Sequence, residues 1–501
     1  MNGSAQTAGD QLIAIAKQAL RRGADYPAIE WEGRWIGWDA MHRTADQVGN
    51  LLDASGVPRG APVAMVPRNR PGAVAAMIGL IARGHSIRMI HAYQSGAGVA
   101  RDIVRLKPAA LVTTEEDHSE EVCGMLAKEG IAGIVLSGMD ANHLPGCAAF
   151  SADFEASTSP RIEVLTSGTT GKPRQFTLTF DLIARDMVGQ NATNHDTGED
   201  LRNEPAAFLF YPFGNFSGLY SNLASILRGI PAVLVDRFSL EAWHDYVVRH
   251  RPVWGGLPPS AIQAILDAGI PPEDFGSIQF FTTGAAPVDR AVHREFERRY
   301  AKPLFSIYGA TEFGGPVTIM TLDMWKEWGD AKFGSVGVPW HGAKIRIVDP
   351  ASGEELATGE EGLLEVVSPR IGPEWIRTSD LGWIDADGFV FLKGRADDAI
   401  MRGGFKLHPG DIEHALCLHD AVKEAGVTAV PDRRLGEVPG AAICLVPGKD
   451  RPGTAELEAH LRKLVKAPEI PVHWRFVGAL PRTAMLKVDR VALKALFADA
   501  G

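Results

Sequence analysis

The stretch Thr166-Ser167-Gly168-Thr169-Thr170-Gly171-Lys172-Pro173-Arg174 combines hydroxyls, two glycines and a lysine in nine residues. Glycine permits positive φ and lets a backbone approach a ligand closely. The hydroxyls add donors, and Lys172 adds a cation. Val164-Leu165 before the stretch and Phe176-Thr177-Leu178-Thr179-Phe180 after it read as strands. The loop between them is then a tight turn whose N–H groups line an anion site. Two residues separate Gly168 from Gly171, where a Walker A loop has four, so this phosphate loop is of another kind.

Other chemistry-bearing stretches follow in order. Tyr211-Pro212-Phe213-Gly214-Asn215-Phe216-Ser217-Gly218 comes after an apolar strand. Thr282-Thr283-Gly284-Ala285-Ala286-Pro287 lies between a strand and a helix. Its small residues let a flat ligand rest on the backbone at a strand's carboxyl end, where α/β proteins bind ligands. Ile307-Tyr308-Gly309-Ala310-Thr311-Glu312 also ends a strand. Further on come Thr378-Ser379-Asp380-Leu381-Gly382, Gly394-Arg395-Ala396-Asp397-Asp398, Arg402-Gly403-Gly404-Phe405-Lys406 and Leu480-Pro481-Arg482-Thr483-Ala484-Met485-Leu486-Lys487. An ionised carboxylate such as Asp380 has two acceptor oxygens and suits a pair of ribose hydroxyls.

The elements that must position these residues alternate. Short apolar strands are expected at 61–66, 109–113, 131–136, 207–211, 232–235, 253–255, 278–281 and 304–307, with amphipathic helices such as 240–248 and 288–300 between them. That alternation implies parallel sheets covered by helices. From about residue 340, closely spaced strands at 344–348, 362–367 and 388–392 with glycine-rich turns suggest a small antiparallel sheet or barrel. After Arg395 a separate α+β pattern begins, with helices at 411–418 and 455–465 and strands at 426–430, 441–446 and 472–477. The expected fold is therefore α/β. A large N-terminal domain, 1–395, holds mostly parallel helix-covered sheets plus a small β-barrel. A small α+β C-terminal domain, 396–501, follows a pivot near 396–400.

Composition narrows the class. The 501 residues are 45% hydrophobic and 22% charged, ordinary for a globular protein with a large core. The net charge of −10 argues against nucleic acid as a partner. Residues 451–501 run the other way, with nine Lys or Arg against five Asp or Glu, a balance suited to a polyanion. Four scattered cysteines, Cys123, Cys147, Cys417 and Cys444, fit a reducing, cytoplasmic setting and no zinc site. No apolar run reaches the ~20 residues of a membrane span, and the polar start is no signal peptide.

Taken in order, the stretches resemble the motifs of the adenylate-forming superfamily: acyl- and aryl-CoA synthetases, peptide-synthetase adenylation domains and beetle luciferases. The resemblance runs from about residue 30 to 495 and is most like an acyl-CoA ligase. It implies ATP-dependent activation of a small carboxylic acid to an acyl-adenylate, with release of pyrophosphate. Transfer to CoA then gives an acyl-CoA thioester and AMP. The alternative acceptors are an acyl carrier protein or an amine. A non-catalytic nucleotide-binding protein on the same fold is a remoter reading, and Lys487 argues against it.

The resemblance also implies roles. Thr166, Ser167, Gly168, Thr169, Thr170, Gly171 and Lys172 hold the β- and γ-phosphates. Gly284, Ala285 and Ala286 border the adenine, and Tyr308 stacks on it. Gly309 leaves room for the carboxylate beside Ala310. Thr311 donates to the α-phosphate, and Glu312 holds Mg²⁺. Asp380 and Arg395 take the ribose, Asp397 is the hinge and Lys487 is the catalytic cation. Phe213, Asn215, Phe216 and Trp254 are candidates for the acid pocket, and Gly403 and Gly404 for the CoA tunnel. Three positions depart from the pattern. Asn215 stands where a histidine or aromatic is usual, Ser379 replaces a glycine before Asp380, and Leu486 replaces a glycine before Lys487.

Overall fold

In the computed structural model, every residue of helix Pro71–Ala82 is buried. The model describes residues 9–157, 159–166, 174–189, 201–284, 286–403, 405–483 and 487–498, without the side chains of Leu165, Thr166, Arg174 and Lys406. A helix apolar all round has no solvent face, so it is enclosed on every side. Gly79 lets helix Trp38–Ala54 come close, since a Cβ there would lie 2.8 Å from that of Ala45.

The chain forms two compact units, Met1–Pro252 and Val253–Gly501. The first contains a seven-stranded sheet in the order Asp140–His143, Ala132–Ser137, Ala110–Thr114, Val63–Met65, Ile87–Met89, Arg161–Thr166, Arg174–Thr179. Its five inner strands are parallel, and each edge strand is antiparallel to its neighbour. A four-stranded sheet of Ala207–Leu209, Ala232–Leu234, Pro27–Trp31 and Arg34–Gly37 completes the unit's strands. The expected strands at 61–66, 109–113, 131–136, 207–211 and 232–235 fall on these within one or two residues.

The second unit begins with three parallel strands, Trp254–Leu257, Phe280–Gly284 and Leu304–Ile307. Helices Pro259–Ala268 and Arg290–Tyr300 connect them. A four-stranded antiparallel sheet follows, in the order Lys344–Val348, Gly362–Val367, Ile376–Ile384, Val390–Arg395. An isolated bridge from Ser335 to Phe391 lies at its edge. This is the sheet or barrel expected after residue 340.

The last sheet joins Phe405–Leu407, Ile400–Arg402, Gly436–Leu445 and Val422–Asp432, with His473–Phe476 parallel to Gly436–Leu445. Helices Pro409–Cys417 and Thr454–Leu461 cover it over a core of Ile400, Ile412, Leu416, Val427, Ile443, Leu457 and Leu461. Among the described residues, no helix is long and apolar enough to cross a membrane.

Candidate active site

The site of the second unit is built on one pair of antiparallel strands. Asp380 on Ile376–Ile384 stands opposite Arg395 on Val390–Arg395. The Asp380 N–H donates to the Thr378 hydroxyl at 3.0 Å, and that hydroxyl donates to the Leu364 carbonyl at 2.8 Å. The backbone of Thr378-Ser379-Asp380 is thereby fixed to the sheet.

Tyr308 is buried, and its hydroxyl donates to Asp380 Oδ2 at 2.6 Å. Arg395 Nη1 lies 3.7 Å from Asp380 Oδ1. Burial pushes the Asp380 carboxyl up from its ordinary value, while the Tyr308 hydrogen bond and Arg395 oppose it; the net direction is upward. Burial and the neighbouring Asp380 push the Tyr308 phenol up as well.

Two further donors of Arg395 reach the hinge candidate. Nε donates to Asp397 Oδ1 at 2.8 Å and Nη2 to Asp397 Oδ2 at 2.6 Å, a fork-to-carboxylate pair. Nη2 also donates to Ser379 Oγ at 2.8 Å, and Ser379 donates to Asp397 Oδ2 at 3.0 Å. The pairing with Asp397 raises the Arg395 guanidinium still further. Burial pushes the Asp397 carboxyl up, but Arg395 outweighs it, and the net direction is down. Ser379, a departure from the glycine usual there, thus bridges Arg395 and Asp397 through its hydroxyl. Its hydroxyl was the available signal, standing one residue from an aspartate.

Lys487 lies near the far end of the chain. The residues flanking 484–486 are tied together: Thr483 N–H donates to the Lys487 carbonyl and Asp489 N–H to the Pro481 carbonyl, each at 2.8 Å. Arg482 pairs with Glu424, and Arg490 with Glu413, at the loop's two roots. Burial lowers the pKa of the half-buried Lys487 ammonium, as does Arg395, against the attraction of Asp380 and Glu312. Lys487, Arg395, Asp380 and Glu312 therefore share one electrostatic neighbourhood.

Glu312 is exposed on the turn Thr311–Phe313, and Thr311 is half-buried. The turn follows the two-residue ladder Gly309–Ala310 with Gly315–Pro316. A Cβ on Gly309 would lie 2.7 Å from both the Gly315 carbonyl oxygen and Pro316 Cα, so the ladder itself requires glycine there. Gly284 and the half-buried Ala286 stand at the end of strand Phe280–Gly284. Gly403 adopts φ +55°, the left-handed region, in the turn between Ile400–Arg402 and Phe405–Leu407. Trp254 is 55% exposed at the start of its strand.

In the first unit, Arg161–Thr166 and Arg174–Thr179 form an antiparallel hairpin with Thr166 opposite Arg174. The two expected flanking strands are present. Its tip, Ser167, Gly168, Thr169, Thr170, Gly171, Lys172 and Pro173, lies outside the described residues, as do Ala285 and Gly404 of the second unit. At the hairpin's root the buried Glu163 pairs with Arg88 at 2.9 Å and Arg161 at 2.7 Å. Arg88 is itself buried and donates to the Glu155 carbonyl at 2.8 Å.

The Tyr211–Gly218 stretch is held from two sides. Asn69 Nδ2 donates to the carbonyls of Tyr211 at 3.2 Å and Val235 at 3.1 Å, and Asn69 Oδ1 accepts from Phe213 N–H at 3.2 Å. Asn222 Nδ2 donates to the Tyr211 carbonyl at 2.7 Å. Phe213 is fully buried, Phe216 is buried and Asn215 is half-exposed. Gly218 has no room for a side chain, since a Cβ would lie 2.1 Å from the Pro212 carbonyl oxygen. Nothing in the sequence singles out Asn69 or Asn222, whose partners are all backbone groups distant in the chain or across a turn.

Residues 15–373 match the AMP-binding enzyme family and residues 411–487 the AMP-binding enzyme C-terminal domain. The chain belongs to this family of adenylate-forming enzymes, and within it is acyl-CoA-ligase-like. It is 27% identical over 520 residues to a sulfoacetate–CoA ligase of Cupriavidus necator, covering 98% of this chain and 99% of that one. It is 28% identical over 465 residues to a 2-succinylbenzoate–CoA ligase of Bacillus pumilus, covering 90% of each. Its fold matches that of ATP-bound MatB from Rhodopseudomonas palustris with a TM-score of 0.80, at 23% identity, over 99% of this chain and 100% of that one.

Proposed function

We propose that this chain is an AMP-forming acid–CoA ligase whose adenylating step is served by Lys487. The observation that carries the reading is that Lys487 lies within the electrostatic reach of Arg395, Asp380 and Glu312, residues that are distant in sequence. In the first step a carboxylate oxygen attacks the α-phosphorus of ATP. The bond to the bridging oxygen breaks, pyrophosphate leaves and an acyl-adenylate forms. In the second step the sulfur of CoA attacks the acyl carbon, AMP departs with the electrons of the broken C–O bond, and the thiol proton is lost.

Two anions must meet in the first step, so donors and positive charge are needed where charge accumulates. Lys487 bridges the incoming carboxylate and the α-phosphate. Thr311 donates to the α-phosphate, and Asp380 accepts from the ribose hydroxyls with its second oxygen, the first being held by Tyr308. The loop at 166–172 binds the β- and γ-phosphates, with Lys172 as its cation.

Glu312 is the residue to hold Mg²⁺. Mg²⁺ takes hard oxygen ligands, commonly one or two carboxylates with substrate phosphates and waters, so one exposed carboxylate fits it. When bound, the ion neutralises charge on the polyphosphate.

Residues 1–395 form the catalytic body and 396–501 a segment that turns about Asp397. The separate core of the segment supports that boundary. Turning would withdraw Lys487 after the first step and admit CoA, with Gly403 and Gly404 along its path. The cysteine pattern supports a cytoplasmic enzyme. Phe213, Asn215, Phe216 and Trp254 are the candidates for the residues that select the acid. The test is a screen of carboxylic acids for pyrophosphate release with ATP and Mg²⁺, followed by mass detection of acyl-CoA on adding CoA. AMP without acyl-CoA, and acylation of an added amine or carrier protein instead, would overturn the choice of acceptor.

A further inference from the structure

We infer that His414 and Lys423 are positioning residues for adenylation, because their ion pairs seat the C-terminal segment where its lysine meets the nucleotide site. This rests on the proposed reading that residues 396–501 turn about Asp397.

His414 Nδ1 lies 2.5 Å from Asp289 Oδ2, and Lys423 Nζ lies 2.7 Å from Asp267 Oδ2. Both aspartates are fixed from behind. Asp289 Oδ1 caps helix Arg290–Tyr300, accepting from Ala291 N–H at 2.8 Å and Val292 N–H at 3.2 Å. Asp267 sits in the last turn of helix Pro259–Ala268 and accepts from Gln263 at 2.7 Å. A cation at that end of a helix also meets its carbonyls favourably. Among the described residues, these are the ion pairs that join 253–395 to 396–501 away from the hinge.

Each latch residue has a neighbour that grips the Lys487 loop. Lys423 points to Asp267, while the adjacent Glu424 holds Arg482. Lys423 lies at a register shift between Val422 and Glu424, and the two adjacent residues of this one strand hold both partners. His414 points to Asp289, while the adjacent Glu413 holds Arg490 at 2.8 Å and accepts from Val427 N–H at 2.8 Å. The body's helices are therefore joined to the roots of the Lys487 loop through two adjacent-residue links. Any turn of the segment away from the body separates both pairs.

The pairs are partly exposed, 20–41% by side chain, and such pairs contribute little to folding. Between two arrangements of similar energy, a small contribution still changes the populations several-fold.

The experiment measures the half-reactions separately in Lys423→Glu, Asp267→Lys, the double variant, and His414→Ala. Pyrophosphate release from ATP and the best acid is expected to fall about two- to fivefold in each single variant. Acyl-CoA formation from supplied acyl-adenylate is expected to hold or rise. The double variant, with its charges exchanged, is expected to recover pyrophosphate release. Hydrogen exchange without substrates gives a second reading, with faster exchange at 259–268 and 422–432 in Lys423→Glu and recovery in the double variant. The inference is overturned by unchanged pyrophosphate release, by equal loss of both halves, or by no recovery in the double variant. Lys487→Ala is run in parallel. If it releases pyrophosphate at the parental rate, the role of Lys487 itself fails. If it is silent while Lys423→Glu is unaffected, only the latch fails.

Discussion

Tyr308 and Asp380 are joined by a 2.6 Å hydrogen bond in which the phenol donates and the carboxylate accepts. The bond fixes one Asp380 oxygen and opposes the upward push of burial on that carboxyl. Tyr308→Phe is expected to raise KM for ATP about tenfold, the scale of one hydrogen bond to a charged group. It should also move the acid limb of kcat/KM to higher pH, because Asp380 loses a group that favours its ionised form. Initial rates across pH check both, and an unchanged acid limb would remove Asp380 from nucleotide binding.

Lys487→Ala is expected to slow adenylation by about 10²–10³-fold while sparing acyl transfer from supplied acyl-adenylate. The lysine must be cationic to act, and burial and Arg395 lower its pKa. The alkaline limb of kcat/KM for adenylation should therefore begin below the usual lysine value of about 10.4, and activity should fall as pH rises through it. Lys487→Arg, which stays charged, should lose that limb even where it is slower.

Glu312→Gln is expected to weaken the dependence on Mg²⁺, seen as a higher metal concentration for half-maximal pyrophosphate release. Full turnover of the parent enzyme in excess EDTA would remove the metal from the site.

Ser379→Ala is expected to alter the ratio of the two half-reactions, because it removes a hydroxyl shared by Arg395 and Asp397. Ser379→Thr, which keeps the hydroxyl, should restore the parental ratio. Asp397→Pro fixes φ near −65° and should spare pyrophosphate release more than thioester formation. Asp397→Ala serves as its control, since proline also removes the carboxylate. Equal loss of both halves in a folded, ATP-binding Asp397→Pro protein would argue against a hinge at 397.

The strands and helices of the fold were legible wherever burial follows a simple period. Leu304–Ile307 was read to the residue, and most others to within two. Strand Ile376–Ile384 was not, because Arg377, Thr378, Ser379 and Asp380 interrupt the alternation expected of a half-buried strand. The polar side chains that make it useful also disguise it. The site was legible as motifs and illegible as contacts. Glycine at 309 suggests space for a ligand, and the structure adds a backbone reason in the ladder with Pro316. The pairing of Arg395 with Asp397 competes for a guanidinium that the motif assigns to ribose, and only coordinates reveal such sharing. Asn69 and Asn222 act on carbonyls, which carry no sequence signature.

The absent side chain at Gly218 has a bearing on which changes the Tyr211–Gly218 stretch can accept. With the Pro212 carbonyl oxygen 2.1 Å from where a Cβ would stand, the loop and the following helix meet backbone to backbone. Enlarging residue 218 would disrupt that junction before it reshaped a pocket. Residue 215 is under no such constraint: its half-exposed asparagine side chain makes no capping hydrogen bond to the following helix, so its exchange leaves the loop its course.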